Sequence, residues 1–337
     1  MNKYLVVGAG GFIGGHLVKR LLDEGHEIIA VDLKPLDFWF QKFSKVKNIS
    51  LDMQEYENCL KVTKRVDYVF NLACNMGGIG FIENNKADCM LSVLINTNLL
   101  RSCLKNKVKK YFFSSSACAY NTQLQNDPGI LGLKEEDAYP AMPEDGYGWE
   151  KLFGERMCRH FFEDYGLETR VARFHNVYGP LGTFDGGREK APAALCRKVL
   201  EAKVNQTNEI EVWGDGNQTR SFLYINDCID AIMRLFFSDF REPINIGSEE
   251  KVSINKLIEI IEEIEKIKLK RIYLLDKPKG VNGRSSDNTL IKKVLNWNYQ
   301  YSLSDGIKET YKWIKEIKCS KDNINLIKFS QSSLKNS

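Results

Sequence analysis

The stretch that most constrains the chain runs from Lys3 to Leu22. A short apolar run, Lys3 to Val7, meets Gly8-Ala9-Gly10-Gly11-Phe12-Ile13-Gly14, and Leu17, Val18, Leu21 and Leu22 then recur at helical spacing. This reads as strand, glycine turn, helix. Glycines there remove the side chains that would keep the amides of a helix N-terminus, and the flanking Phe12 and Ile13 backbone, away from a pyrophosphate. The spacing is G-x-x-G-x-x-G over Gly8, Gly11 and Gly14, with Ile13 standing where the G-x-G-x-x-G pattern has its last glycine. The next apolar run, Glu27 to Val31, ends at Asp32, within reach of the spacing at which a carboxylate takes the adenosine ribose hydroxyls. A carboxylate there repels a 2′-phosphate, so NAD is expected rather than NADP.

The alternation continues. Ile49 to Leu51 leads into Asp52-Met53, which lies near the adenine if the run is a third parallel strand and is otherwise an ordinary strand-end turn. Asp67 to Asn71 reads as a further buried strand, followed by Leu72-Ala73-Cys74-Asn75-Met76-Gly77-Gly78. A glycine-rich segment at the end of a parallel strand lies where such sheets bind ligands, so cofactor is expected near Leu72 and substrate near Gly77 and Gly78. Residues 87–105 read as helix and Lys110 to Ser115 as strand. Together these predict an α/β fold with a doubly wound parallel sheet of Rossmann type. From Gly179 the alternation weakens, as for a smaller mixed α/β substrate domain, with short strands at Glu211 to Trp213 and Ser221 to Tyr224 and helices from Ile225, over Ile254 to Ile267 and over Leu303 to Ile317. The expected division is 1–178, 179–319 with elements crossing over, and a flexible tail over 320–337.

Composition narrows the function classes. A hydrophobic share of 43% and a charged share of 27% suit a soluble globular chain. The net charge of +4, from 48 basic against 44 acidic residues, argues against a nucleic-acid or membrane surface. The nine cysteines include no C-x-x-C pair, which points to a reduced, cytoplasmic chain with no metal site. No secretory leader or membrane span is expected.

Chemistry enters with Tyr147-Gly148-Trp149-Glu150-Lys151. Tyr and Lys four apart share one helical face, where an ammonium can lower the pKa of a phenol and make it a usable acid/base. Ser116, in the serine row ending the strand from Lys110, can share a substrate oxygen with that tyrosine. Gly8-x-x-Gly11-x-x-Gly14, Asp32, Ser116 and Tyr147-x-x-x-Lys151 resemble the extended short-chain dehydrogenase/reductases that act on nucleotide sugars. The resemblance implies that Tyr147 and Lys151 are the redox pair, that NAD takes a hydride, often from C4, and that the enzyme is a homodimer.

A 4-ketone acidifies the hydrogens at C3 and C5, so the residues beyond the redox pair decide the outcome. In the 4,6-dehydratases of this superfamily the Ser/Thr is followed by Asp-Glu. Here Ala117-Cys118 follows, which disfavours dehydration. The run Gly186-Gly187-Arg188-Glu189-Lys190-Ala191-Pro192-Ala193-Ala194, with residues 173–185, 213–222 and 280–288, resembles the GDP-mannose 3,5-epimerases. That resemblance extends from about residue 3 to about residue 317. It implies that Cys118 is a base and Lys190 an acid on opposite faces of a GDP-sugar ring. It further implies that Asn176, Arg220 and Arg284 hold the diphosphate or nearby sugar atoms, with Glu189 and Lys198 near the substrate. Guanidinium groups suit phosphate oxygens independently of any resemblance. Segments 34–47 and 121–134, and the residues Ala119 and Trp149, depart from the pattern.

The expected reaction is epimerisation of a GDP-hexose at C3, C5 or both through a transient 4-ketone. A C4 epimerase or C4 oxidoreductase on a related GDP-sugar, such as a GDP-heptose, would use Tyr147 and Lys151 and leave Cys118 idle. A non-catalytic NAD-binding regulator would tolerate loss of the pair.

Overall fold

The computed structural model describes residues 1–319. The first half alternates as the apolar runs require. Strand β1 (Lys3–Val7) passes through the glycine turn into α1 (Phe12–Asp23), then β2 (Glu27–Asp32), β3 (Lys47–Ser50), α2 (Tyr56–Val62) and β4 (Tyr68–Asn71). After β4 come α3 (Ile79–Asn84), α4 (Lys86–Met90), α5 (Val93–Lys105), β5 (Lys110–Ser116), α6 (Tyr147–Tyr165) and β6 (Glu168–Phe174). The third strand forms and pairs in parallel with β2. The helix expected over 87–105 is instead two. Around Leu91 and Ser92 the hydrogen bonds tighten to three-residue spacing, and the Ser92 hydroxyl accepts from the Asn75 amide at 2.9 Å, tying the junction to the glycine-rich loop.

The second half begins with β7 (Val177–Tyr178), α7 (Ala191–Val204), β8 (Glu209–Trp213), β9 (Thr219–Ser221), β10 (Leu223–Tyr224) and α8 (Ile225–Phe237). It closes with β11 (Ile244–Ile246), β12 (Lys251–Ser253), α9 (Ile254–Glu265), β13 (Lys270–Leu274), β14 (Gly283–Arg284), α10 (Thr289–Leu295) and α11 (Leu303–Cys319). The expected strand over 221–224 divides at Phe222, because Ser221 belongs to β9 and pairs with β12, while Leu223 and Tyr224 pair with β7.

Seven parallel strands in the order β11-β6-β5-β4-β1-β2-β3 form the central sheet. The order reverses between β1 and β4, and in such sheets ligands lie at that crevice beyond the carboxyl ends of the strands. Both faces are covered. Leu5, Val7, Val69, Tyr111 and Phe113 pack with Leu99, Leu100 and Cys158 of α5 and α6, while Tyr4, Val6, Phe70 and Phe112 face Leu17, Ile232 and Phe236 of α1 and α8. Burial on both sides explains why these strands read as continuous apolar runs. The expected tail over 320–337 lies outside the described residues. Among the described residues no helix is long and apolar enough to cross a membrane.

Candidate active site

The site collects at the carboxyl ends of β1, β2, β4 and β5. Gly8 sits at φ +85, and a Cβ there would come within 2.7 Å of the Leu72 carbonyl carbon, so β1 and β4 approach each other only with glycine at this position. Gly14 packs its α-carbon on the Gly8 carbonyl, and a Cβ would also stand 2.8 Å from the Ala9 α-carbon. At Gly11 a Cβ would meet Gly8 oxygen at 3.1 Å and nothing else within 4 Å, so the outer side of the turn is open. Phe12 turns its ring toward Gly179 and Gly182, closing one end of the turn.

At the tip of β2, the Asp32 Oδ1 accepts from the Lys34 amide at 2.9 Å, and the Lys34 Nζ donates to the Gly10 carbonyl at 3.0 Å. Burial raises the Asp32 carboxyl, against the pull of Lys34 and the Gly10 and Gly11 amides. Trp39 lies over Gly10 and is held by its indole N–H on the Lys34 carbonyl at 2.9 Å. Asp52 accepts from the Gln54 amide at 2.8 Å just past β3, and Met53 is buried beneath it.

Helix α6 brings the tyrosine and lysine to β5. Gly148 lies against the Cys118 carbonyl, and at Gly154 a Cβ would run into the Phe113 ring, so small residues let the helix settle on the strand. Ser115 on β5 donates to Glu155 Oε1 at 2.5 Å, and Arg173 on β6 clamps the same carboxylate through Nε at 2.8 Å and Nη2 at 2.7 Å. Ser116 accepts from the Cys118 amide at 3.2 Å, which sets the tight turn over Ala117–Ala119. The same hydroxyl favours the ionised form of the Tyr147 phenol.

Lys151 is 1% exposed, with Nζ 5.3 Å from the Tyr147 ring centre and 5.0 Å from that of Phe113. Its ammonium lies 3.2 Å from Glu150 Oε2, yet neither atom makes a hydrogen bond of good geometry. The expected lowering of the phenol does not prevail in the free protein. Burial pushes Tyr147 well above its ordinary value, and Cys74, Cys118 and Glu150 add to the rise, while Ser116 opposes it. Glu150 shares the pocket with Lys151, so the pair carries little net positive charge toward the phenol.

Lys190 caps α7 at its N-terminus and is half-buried. Burial lowers its pKa, opposed by the sulfurs of Cys118 and Cys74. The Gly78 amide donates to the Arg188 carbonyl at 3.1 Å, so the loop carrying Gly77 and Gly78 touches the strand of chain leading to Lys190. Glu189 points back to the Gly187 amide at 2.6 Å and to Arg197 at 3.3 Å, and Lys198 donates to the Glu211 carbonyl at 3.1 Å. Asn176, at φ +38, donates to the Ser221 carbonyl at 3.1 Å.

Arg220 and Arg284 stand opposite each other on the parallel pair β9 and β14. Arg220 donates to the carbonyls of Thr219 at 2.8 Å and Val281 at 2.6 Å, and burial, then Arg284, lowers it to about 10. Arg284 reaches Cys118 Sγ at 3.4 Å, Gln125 Oε1 at 2.6 Å and the Glu144 carboxylate. The structure thus brings Ser116, Cys118, Tyr147, Lys151, Lys190, Arg220 and Arg284 to one locus, buried at Cys118, Tyr147, Lys151 and Arg284, with Glu189 and Lys198 turned to partners at its edge.

Four participants escaped the sequence. Glu144 sits in a Pro-Glu-Asp-Gly stretch that reads as a surface turn, and Gln125 lies within 121–134, the poorly matching segment. Trp39 comes from 34–47, the other such segment. Glu150 is hidden inside the Y-x-x-x-K spacing, and no signal in the sequence marks it as buried.

The residues fit a dinucleotide. The open outer side of Gly11 admits a pyrophosphate, Asp32 ends its strand where ribose hydroxyls are taken, and Lys151 keeps a buried ammonium without a hydrogen-bond acceptor of good geometry.

Comparison with known proteins places the chain among relatives. Residues 4–247 match the model of the NAD dependent epimerase/dehydratase family. GDP-mannose 3,5-epimerase 1 of Oryza sativa subsp. indica is 49% identical over 312 residues, covering 92% of this chain and 81% of its own. GDP-mannose 3,5-epimerase of Arabidopsis thaliana is 47% identical over 315 residues, covering 93% and 82%. Among solved structures, the UDP-glucuronic acid 4-epimerase of Bacillus cereus, in complex with UDP-glucuronic acid and NAD, superposes with a TM-score of 0.81 at 26% identity. That match covers 94% of this chain and 99% of the other. The chain therefore belongs to the NAD-dependent epimerase/dehydratase family, in the branch of the GDP-mannose 3,5-epimerases.

Proposed function

We propose that this chain epimerises a GDP-hexose of the GDP-mannose type at C3, C5 or both, through transient oxidation at C4, enolisation and re-reduction. The observation that carries the reading is the thiol of Cys118 held at 3.4 Å from the Arg284 guanidinium, buried with Tyr147 and Lys151 and two residues from Ser116. A redox pair alone needs no such thiol.

Gly8, Gly11, Phe12, Ile13 and Gly14 would hold the pyrophosphate of NAD, Asp32 its adenosine ribose, Asp52 and Met53 the adenine side, and Leu72, Tyr147 and Lys151 the nicotinamide half. NAD supplies the acceptor, and later the donor, of the C4 hydride. Tyr147, with Ser116 beside it, takes the C4 hydroxyl proton and returns it at the end. Its phenol stays protonated in the free protein because burial raises it, so its ionisation belongs to the loaded site.

The ketone makes the neighbouring ring hydrogens acidic. Cys118 removes one at C5 or C3, and Lys190 delivers a proton from the other face. Burial weakens the hold of Lys190 on its proton, which suits an acid. Arg220, Arg284 and Asn176 hold the diphosphate and nearby sugar atoms, while Gly77, Gly78, Glu189 and Lys198 complete the substrate set. Residues 1–178 form the cofactor domain and 179–319 the nucleotide-sugar domain in this reading, with β11 returning to the central sheet. We further propose a cytoplasmic homodimer. The first part of that rests on nine free cysteines, the second on the superfamily resemblance.

Incubation with GDP-mannose in deuterated water tests the assignment. Deuterium is expected at C3, C5 or both in recovered sugar, and Cys118→Ala is expected to stop exchange while NADH still forms. Chemistry at C4 with no label at either carbon would overturn it in favour of a C4 epimerase or oxidoreductase.

A further inference from the structure

Glu144 is a carboxylate to which the proposed reaction assigns nothing, although it touches the groups that flank the thiol. Its side chain is 15% exposed and pairs with Arg284, whose own side chain is 7% exposed. Its backbone N–H donates to the Cys118 carbonyl at 3.0 Å. The other two edges of the Arg284 guanidinium are also occupied, by Gln125 Oε1 at 2.6 Å and by Cys118 Sγ at 3.4 Å. A guanidinium is rigid and planar, so none of its donors moves without the others. Glu144 and Gln125 therefore decide where positive charge stands relative to the sulfur.

The arrangement also decides how much of that charge the sulfur feels. An arginine beside a thiol favours thiolate, and a carboxylate beside the same arginine cancels much of the effect. The other groups facing Cys118 are the Ser116 hydroxyl, the Tyr147 phenol, the Lys190 ammonium and, beyond Arg284, Arg220. Burial pushes the thiol up to about 11, Glu144 adds to the rise, and Arg284 opposes it. Burial works against the charge on Glu144 as well, but Arg284, the Cys118 thiol and Arg220 outweigh it and hold the carboxyl below its ordinary range. Glu144 is thus ionised at neutral pH.

We propose that Glu144 is a positioning residue that pins the Arg284 fork against Cys118 and keeps the thiol protonated in the free enzyme. Its bearing on catalysis rests on Cys118 being the ring base; its effect on the ionisation of Cys118 does not.

The test is the pH dependence of Cys118 alkylation by iodoacetamide in the purified full chain, read on the Cys118 peptide by mass spectrometry. The thiol gives its proton to solvent, the thiolate sulfur bonds to the methylene carbon, and iodide leaves. Glu144→Gln keeps the shape and an acceptor for Arg284 but removes the charge. Its alkylation midpoint is expected at least one unit below that of the unsubstituted chain, which is about tenfold faster labelling at any pH below both midpoints. The acidic limb of deuterium exchange should move down with it, which a purely structural role would not produce. A midpoint unchanged or raised overturns the proposal. If Glu144→Gln does not fold, Arg284→Gln decides: its midpoint must rise, and an unmoved midpoint is equally fatal. Persistence of exchange in Cys118→Ala would sink the base assignment while leaving the midpoint shift standing. Abolished exchange with an unmoved midpoint would sink the role of Glu144 alone.

Discussion

The buried pair of Glu155 and Arg173 joins the catalytic helix to two strands, and its removal has a calculable cost. Both side chains are 3% exposed, and the carboxylate takes two guanidinium donors at 2.7 and 2.8 Å and the Ser115 hydroxyl at 2.5 Å. Glu155→Gln keeps one carbonyl acceptor but removes the carboxylate paired with the buried Arg173 charge. Breaking one side of such a pair costs about 3–5 kcal/mol. A change of about 1 kcal/mol moves the Tm of a domain of 150–250 residues by about 2–4 °C, and this chain lies beyond that size, so at about 2 °C per kcal/mol a fall of about 6–10 °C is expected. Thermal unfolding followed by circular dichroism reads it directly. Because the cost lies in the orphaned charge, Glu155→Leu combined with Arg173→Met should recover most of the loss. A Tm within 2 °C of the unsubstituted chain for Glu155→Gln, or a double variant no more stable than the single one, would refute the argument that charge pairing fixes α6 on β5 and β6 (~2 °C being about 1 kcal/mol).

Two further outcomes follow from contacts elsewhere. Gly14→Ala would drive a Cβ into the Gly8 carbonyl and to 2.8 Å from the Ala9 α-carbon, so overpacking of about 1–3 kcal/mol should weaken NAD binding by roughly 5- to 150-fold in calorimetric titration. A Kd within about twofold of the original would contradict the close packing of the turn. Glu262 is 2% exposed and accepts from the Leu269 amide at 2.7 Å, from Lys268 at 3.1 Å and from Arg271; burial raises its carboxyl, but these partners outweigh it and hold it below its ordinary value of 4.5. The unfolded chain then binds a proton first as pH falls, so this contribution is complete above about 4.5 and is lost as pH falls through the lower folded value. Thermal scans from pH 6 to pH 3 should slope less in Glu262→Gln, and identical slopes would exclude the linkage.

What could be read from the sequence and what could not divide along one physical line. The doubly wound sheet was legible because local rules write it: continuous apolar runs for strands buried on both faces, helical spacing after them, and glycines where β1 must approach β4. The turn at Gly8, Asp32 at the tip of β2, and Ser116, Tyr147 and Lys151 around β5 and α6 all lie within that local grammar. The break between α4 and α5 was not legible, because it depends on a hydrogen bond from the Asn75 amide to Ser92 that closes only when the glycine-rich loop is in place.

The electrostatics of the site were the least legible part, since they come from contacts between residues far apart in the chain. Spacing said that Lys151 shares a face with Tyr147, and it does, but spacing could not say that Glu150 would be buried with them and offset the ammonium. Cys118 and Arg284 are separated by 166 positions, and Glu144 and Arg284 by 140. They meet because β14 pairs with β9 in register at Arg220 while the turn after β5 presents the thiol from the other side. The redox pair is thus set by one helix and one strand, whereas the charge at the thiol is set by the docking of the C-terminal strands. A change in that docking would therefore alter the charge at the thiol without touching Ser116, Tyr147 or Lys151.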